Sequence, residues 1–187
     1  MIVLAVQGPV AALAARWLGD PGPTQDGRAT FNPLPHAELL GVIGFLLFRA
    51  GWIKPLDVDA RLFRHRSRSL LALLLPILAT AALAATLLVL RPLALRSIGG
   101  NAALTVSTLM LTTHEMAVRS SLLALLPIPP LLGTYLLTLV KPTLGPLLNR
   151  SGWRWLGGIV VLGSLAAGVL EPALASGASL LRGLLGY

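Results

Sequence analysis

The chain has 187 residues, of which 55% are hydrophobic and 12% are charged, and its mean hydropathy is +0.80. A typical soluble domain carries roughly 25% charged residues, and one of this length could not bury so much apolar surface. The composition therefore excludes an ordinary soluble domain and indicates contact with lipid. The chain has no cysteine, which excludes disulfides and thiolate metal sites. We expect a single all-α domain, residues 1–187, that spans a membrane several times.

Uncharged runs along the chain predict where the membrane spans lie. The predicted spans are residues 69–90, 120–140 and 155–175. The first lies between Arg68 and Arg91, and a helix of this length crosses a hydrocarbon core of about 30 Å. Two further apolar segments, residues 1–18 and 39–53, are short for a full crossing, and we expect them to be tilted or re-entrant.

The net charge of +8 is distributed asymmetrically about these spans. Seven basic residues are predicted to share one side: Arg61, Arg64, Arg66, Arg68, Lys141, Arg150 and Arg154. The intervening loop on the other side carries Arg91, Arg96 and Arg119. This bias follows the positive-inside rule, so we assign the charge to topology in a cell inner membrane and to lipid headgroups. No nucleic-acid-binding motif accompanies it, and we expect no nucleic-acid partner.

Three prolines interrupt the second predicted span. Pro127, Pro129 and Pro130 lie inside residues 120–140, and proline removes a backbone donor and breaks a helix. Non-helical backbone at membrane depth is tolerated only where it is buried in protein or lines a polar cavity. The sequence therefore predicts an internal cavity or a former site near residues 124–134.

Several loop segments resemble the motifs of a known family, in the same order and with similar spacing along essentially the whole chain. They are Leu18-Gly19-Asp20-Pro21, Ala29-Thr30-Phe31-Asn32-Pro33-Leu34-Pro35-His36, Gly51-Trp52-Ile53-Lys54-Pro55, and Leu126 to Leu131, which reads LPIPPL and is followed by Gly133. Together they resemble the compact bacterial branch of the site-2 protease family, which are intramembrane zinc metalloproteases. The resemblance implies a transmembrane helical core with short re-entrant or extended loops, in which His36 braces the fold.

The departures from that family concern its catalytic residues. Counting from the LGDP turn, Gln7 and Ala11 occupy the two zinc-binding histidine positions, and Gly8 occupies the position of the general-base glutamate. Leu132 stands at the zinc-binding aspartate, and Ala124 at an asparagine that helps to hold the reacting carbonyl. Zinc hydrolysis needs nitrogen and oxygen ligands and a carboxylate beside the metal-bound water. We therefore expect no zinc, no other cofactor and no enzymatic activity.

These observations favour a pseudoprotease that acts as a scaffold or accessory subunit of a larger membrane complex. Its partners would be transmembrane helices of other subunits, contacted through small residues of the last apolar run. The residues of this candidate interface are Gly163, Ala167, Gly168 and Glu171. An alternative is a lipid- or small-molecule-binding protein that uses the emptied cavity. A third interpretation, an active protease with a relocated motif, has the least support in the sequence.

Overall fold

The structure, a computed structural model, describes residues 1–56, 66–135, 137, 141–148 and 150–184. In chain order the α-helices are α1 (Ile2–Leu18), α2 (Gly22–Gln25), α3 (Leu39–Phe48), α4 (Arg66–Ser97), α5 (Gly100–Ala124), α6 (Gly145–Leu148), α7 (Ser151–Ala166) and α8 (Glu171–Leu184). Short 3-10 turns occur at Leu34–His36 and Pro142–Leu144. Within the described residues the fold is all-helical, as expected, and the β-type pairing is an isolated antiparallel bridge between Ala37 and Ile53.

Helices α4 and α5 form an antiparallel hairpin, and α1 packs against both of them. Helix α7 packs on α3, whereas α8 packs on α5. One apolar cluster joins α1, α3, α4 and α5 and includes Leu4, Phe45, Ala84 and Val118. A second cluster brings Trp52 and Leu123 together with the inner face of α7 and with α8. The Trp52 and Leu131 segments are therefore packed against α5 and α7.

The first predicted span lies inside α4, which is long and apolar enough over Leu70–Ser97 to cross a membrane. Of the most apolar part of this helix, 28% is buried inside the protein. Among the described residues, the other helices do not meet this test singly. Three separate spans are therefore not confirmed, and the multi-span character of the chain stays a prediction.

The second predicted span, residues 120–140, is not one continuous helix, as its three prolines indicate. Helix α5 occupies Gly100–Ala124 instead, and the chain then makes turns from Leu125 to Gly133. The three prolines end the helix here because they cannot donate backbone hydrogen bonds. Arg119, which the sequence analysis placed in a loop, lies within α5. Residues 136 and 138–140 lie outside the described part of the chain.

The third predicted span, residues 155–175, is broken into two helices. Helix α7 ends at Ala166 and α8 begins at Glu171, and their axes differ by 80°. Gly168 adopts a φ of 71°, a left-handed conformation that is costly for other residues, and Pro172 occupies the first turn of α8. Helices α1 and α3 contain 17 and 10 residues, so these segments are short, as the sequence indicated.

Candidate functional site

The three replaced positions of α1 face the interior of the protein. Gln7 and Ala11 have exposed fractions of 1% and 4%, and Gly8 is also buried. The hydroxyl of Ser120 on α5 donates to the side-chain Oε1 of Gln7 over 3.4 Å. The glutamine at the first histidine position therefore joins α1 to α5 by a hydrogen bond.

Gly8 is in direct contact with the ring of His36. A Cβ atom placed on Gly8 would lie 2.1 Å from Cγ and 2.2 Å from Nδ1 of that ring, distances that no pair of non-bonded atoms tolerates. The imidazole of His36 thus lies against the backbone of Gly8 and fills the space into which a side chain at position 8 would extend. No larger residue fits at this position unless His36 moves.

His36 is fully buried, and its protonation state follows from its surroundings. Its Nε2 lies 2.9 Å from the carbonyl oxygen of Thr30, and because a carbonyl only accepts, Nε2 carries the proton. Burial lowers the pKa of His36, the hydrogen bond to Thr30 raises it, and the nearby charge of Arg28 lowers it further, so the net shift is downward. Nδ1 is buried and has no hydrogen-bond partner among the described residues. The ring is therefore neutral.

Ala124 and Leu132, at the other two replaced positions, contact each other in a small apolar cluster with Ile77 of α4. The amide of Gly133 donates to the carbonyl of Ala124 over 2.7 Å, which closes the turn that brings Leu132 back onto α5. Ser120, the partner of Gln7, lies one helical turn before Ala124. The predicted proximity of Gln7 and Leu132 themselves stays a prediction.

The replaced positions thus offer an amide, two methyl groups and a leucine side chain, together with a neutral imidazole. None of these is a carboxylate that could activate water, and within the described residues no three histidine, aspartate or glutamate side chains are grouped to hold a metal ion. His114, the other described histidine, donates from Nδ1 to the carbonyl of Ala84 over 2.8 Å and links α5 to α4. These contacts pack the helices together.

The retained motif segments are bonded to one another. The guanidinium of Arg28 donates to the carbonyls of Lys54 and Pro55 over 2.6 and 2.7 Å. The amide of Lys54 donates to the carbonyl of His36 over 2.7 Å, and the indole of Trp52 donates to the carboxylate of Glu38. The 28–38 and 52–55 segments, which the resemblance had singled out separately, therefore form one hydrogen-bonded unit.

The remaining retained residues shape the turns around this unit. The side chain of Asn32 accepts from the amide of Leu34 over 3.1 Å and starts the 3-10 turn after Pro33. Gly51 lies so close to α3 that a Cβ there would be 2.2 Å from the carbonyl of Gly41. Past Pro127, the Pro129–Pro130 peptide is cis. The carbonyl of Pro129 lies against Gly157 of α7.

A cavity of about 270 Å³ opens at this loop unit. It is lined by Pro23, Asp26, Arg28, Pro35, Lys54 and Pro55. None of the five replaced catalytic positions lines it. Near residues 124–134, where the sequence predicts an internal cavity or a former site, the turns bury Leu131, Leu132 and Gly133.

The residues of the candidate partner interface on the last apolar run lie in different environments. Gly163 and Ala167 are exposed, and a Cβ on Gly163 would meet no atom within 4 Å. Gly168 forms the bend between α7 and α8. Glu171 is bound within the protein, because its two carboxylate oxygens accept from Arg119 over 2.6 and 2.9 Å. Glu171 therefore marks a break in the helix and has an internal partner.

A chain of ion pairs connects three helical elements at this bend, and the sequence analysis did not find it. Arg49, at the end of α3, lies 2.9 Å from Glu115 of α5. Glu115 in turn pairs with Arg119 over 3.2 Å, and Arg119 pairs with Glu171. The spacing of four residues between Glu115 and Arg119 is the signal for this pair in the sequence, but the loop expected at Arg119 argues against a helical pair. We refer to Arg49, Glu115, Arg119 and Glu171 as the ion-pair chain.

The chain matches no family model, no curated protein and no solved structure. The resemblance to site-2 proteases therefore stays an expectation from the motif segments of the sequence.

Proposed function

We propose that this protein is a non-catalytic, site-2-protease-like membrane protein that acts as a scaffold or accessory subunit of a larger complex. The observation that carries the proposal is the contact between Gly8 and His36. At the position where the family has its general base, the imidazole of His36 takes the space of the missing side chain. A chain that has closed its site in this way keeps the packing of the fold and gives up hydrolysis.

The apolar surface of the protein supports a location in the membrane. Only 28% of the most apolar segment of α4 is buried inside the protein, a small share for the core helix of a soluble domain. Large exposed apolar side chains occur on α3, α4, α5 and α7, among them Leu46, Leu78, Leu104 and Ile159. Lipid or the transmembrane helices of partners would cover such surfaces. The basic segments would then face the cytoplasm, following the positive-inside rule.

The experiment that tests this proposal is purification from native membranes in a mild detergent, followed by measurement of the mass of the protein–detergent particle. We expect a stable complex with at least one other membrane polypeptide. Tagging the partner identified in that complex should recover this chain in return. A lone monomer in native membranes would contradict the proposal.

A second candidate function is the binding of a small polar ligand, and the loop cavity of about 270 Å³ favours it. The cavity combines rigid proline walls with the side chains of Asp26 and Lys54. This site differs from the emptied catalytic position that the sequence suggested, which is filled by His36. Stoichiometric small molecules that co-purify with the protein, and are lost on Lys54→Ala substitution, would favour this function over the scaffold.

A further inference from the structure

Hydrogen bonds between α4 and α5 fix how the two helices are aligned. Arg91 donates to the hydroxyl of Ser107 over 2.8 Å, and two turns along, the carbonyl of Ala84 accepts from His114. After two further turns, the carbonyl of Ile77 accepts from Ser121 over 3.5 Å. Each hydrogen bond lies seven residues further along α5 and seven residues earlier on α4 than the one before it. The two helices therefore run antiparallel in a constant register.

This alignment gives the depth of the ion-pair chain. Glu115 lies opposite Leu83 on α4, and Arg119 lies opposite Ala79. The uncharged segment of α4 runs from residue 69 to residue 90, and positions 79 and 83 are close to its middle. If α4 spans the bilayer, as the proposed function requires, the ion-pair chain lies near the centre of the membrane.

The ion-pair chain is not covered by the rest of the protein. The side chains of Arg49 and Glu171 have exposed fractions of 58% and 52%, and that of Glu115 is 32% exposed. Ionised groups at membrane depth do not face lipid; they face other protein or a water-filled cavity. The exposed side of the ion-pair chain therefore needs a cover that lipid does not provide.

From this placement we infer that the exposed side of the ion-pair chain is the docking surface for a transmembrane helix of another polypeptide, which presents a hydroxyl or carboxamide group near its middle. The inference rests on the proposed function and locates its interface. The four side chains carry two positive and two negative charges, so a neutral acceptor fits better than a further charge. Arg49 supplies the donors, because its pair with Glu115 uses one of the five N–H groups of a guanidinium.

Site-specific photo-crosslinking in native membranes tests this surface. A benzophenone amino acid at position 111 would lie one turn from Glu115, where Leu111 is 39% exposed. The matched control is position 78, because Leu78 on α4 is 60% exposed and lies at nearly the same depth as Arg119. We expect crosslinks from position 111 to a hydrophobic segment of another polypeptide that carries a hydroxyl or carboxamide side chain, and none from position 78.

The substitution Arg49→Gln should lower the yield of that crosslink about threefold or more, the change expected for an interhelical hydrogen bond in a membrane. The fold should persist, because Arg119 keeps its pairs with Glu115 and Glu171 and the Arg49 side chain is largely exposed. Arg96→Gln, which removes an exposed arginine near the C-terminal end of α4, should leave the crosslink yield unchanged. Arg49→Lys should restore part of the yield, since it keeps a charged donor.

Three results would overturn the inference. A cysteine at position 111 that reacts with a membrane-impermeant thiol reagent would show a water-filled cavity. Crosslinks confined to a second copy of this chain would show self-association. An Arg49→Gln variant that retains the full crosslink would show that the partner binds elsewhere, and the proposed function would then stand without this inference. If the chain is a monomer in native membranes, the proposed function itself fails.

Discussion

The contact between Gly8 and His36 is the residue-scale feature that most constrains the chemistry of this protein. Because the imidazole touches the backbone of Gly8, a glutamate at position 8 has no space for its side chain. Gln7 is hydrogen-bonded to Ser120. Leu132 packs against Ile77 and Ala124. Restoring the family's residues one at a time would therefore disturb the fold before it restored a metal site.

The substitution Gly8→Ala should destabilise the protein by about 1–3 kcal/mol, because the added methyl overlaps the ring of His36 and overpacked sites cost that much. Gly163→Ala is a matched control, since it also lies within a helix and a Cβ there meets open space. It should be neutral or stabilising by up to about 1 kcal/mol through helix propensity. Unfolding in detergent, followed by circular dichroism, measures both variants.

The cause of the Gly8→Ala effect can be tested by removing the ring. In a double-mutant cycle, Gly8→Ala should cost much less stability in the His36→Ala background than in the wild type, because the two side chains compete for one space. Additive effects of the two substitutions would show that the methyl group and the ring do not collide.

The buried neutral state of His36 predicts a pH dependence of stability. Its pKa is lowered from the ordinary value of 6.5, so the unfolded chain binds the proton more readily than the folded one. The corresponding stability is present above pH 6.5 and is lost as the pH falls below that value towards the folded pKa. The unfolding free energy of the wild type should therefore drop relative to that of His36→Gln below pH 6.5, by at most about 1.4 kcal/mol per pH unit.

Measuring the two chains in parallel isolates this group, because every other titrating residue is common to both. A difference in unfolding free energy that stays constant between about pH 7.5 and 5.5 would mean that His36 does not titrate on unfolding in this range.

At the scale of elements, the bend between α7 and α8 decides how the last apolar run can be used. Gly168 supplies the left-handed conformation at the bend, and the pair between Arg119 and Glu171 ties the start of α8 to α5. Leu174 and Ala178 then face the core, so α8 packs on the protein itself. On its outer face α7 exposes Trp155, Ile159 and Gly163, and Leu180 of α8 is exposed as well.

Gly168→Ala should cost about 1–2 kcal/mol of stability, since an L side chain in the left-handed region is strained by that amount. Gly163→Leu should leave stability nearly unchanged, because its surroundings are open. Thermal unfolding of the two variants distinguishes these outcomes. Only Gly163 is therefore a clean probe of partner contacts at α7; loss of a complex on substitution of Gly168 would report strain as well. Equal stability of Gly168→Ala and the wild type would contradict the strain.

At the scale of the whole molecule, the replaced ligand positions predict that the purified protein contains no stoichiometric zinc. Gln7, Ala11 and Leu132 offer at most one weak ligand, whereas a zinc site needs three or four good donors. Elemental analysis after purification without chelators measures this, with a protein of known zinc content as the standard. A ratio near one zinc per chain would overturn the pseudoprotease proposal and favour a relocated metal site.

The antiparallel α4–α5 hairpin also predicts the sidedness of the chain. Cysteines are introduced most informatively at Gly99, in the turn between α4 and α5, and at Gly152, near Arg150 and Arg154, because both glycines are exposed and have open surroundings. The chain contains no cysteine of its own. We expect a membrane-impermeant thiol reagent to label position 152 from the cytoplasmic side and position 99 from the opposite side. Labelling of both from one side would contradict this topology.

The sequence by itself determined the all-helical character, the apolar run between residues 69 and 90, and the short apolar segments at residues 1–18 and 39–53. These features depend on local composition: long uncharged runs form helices, and prolines and glycines end them. The absence of the family's catalytic residues from the positions that the resemblance assigns stays a prediction from the sequence.

Only the tertiary structure decided the extent of α5 and the role of Glu171. Charged residues such as Glu115 and Arg119 count against a membrane helix when the sequence is read alone. Their cost is offset by partners far along the chain: Arg49 lies 66 residues from Glu115, and Glu171 lies 52 residues from Arg119. The contact between His36 and Gly8 also depends on the tertiary structure, because 28 residues separate the two along the chain. Hydropathy and spacing describe neighbours in sequence, whereas ion pairs and close packing are set by neighbours in space.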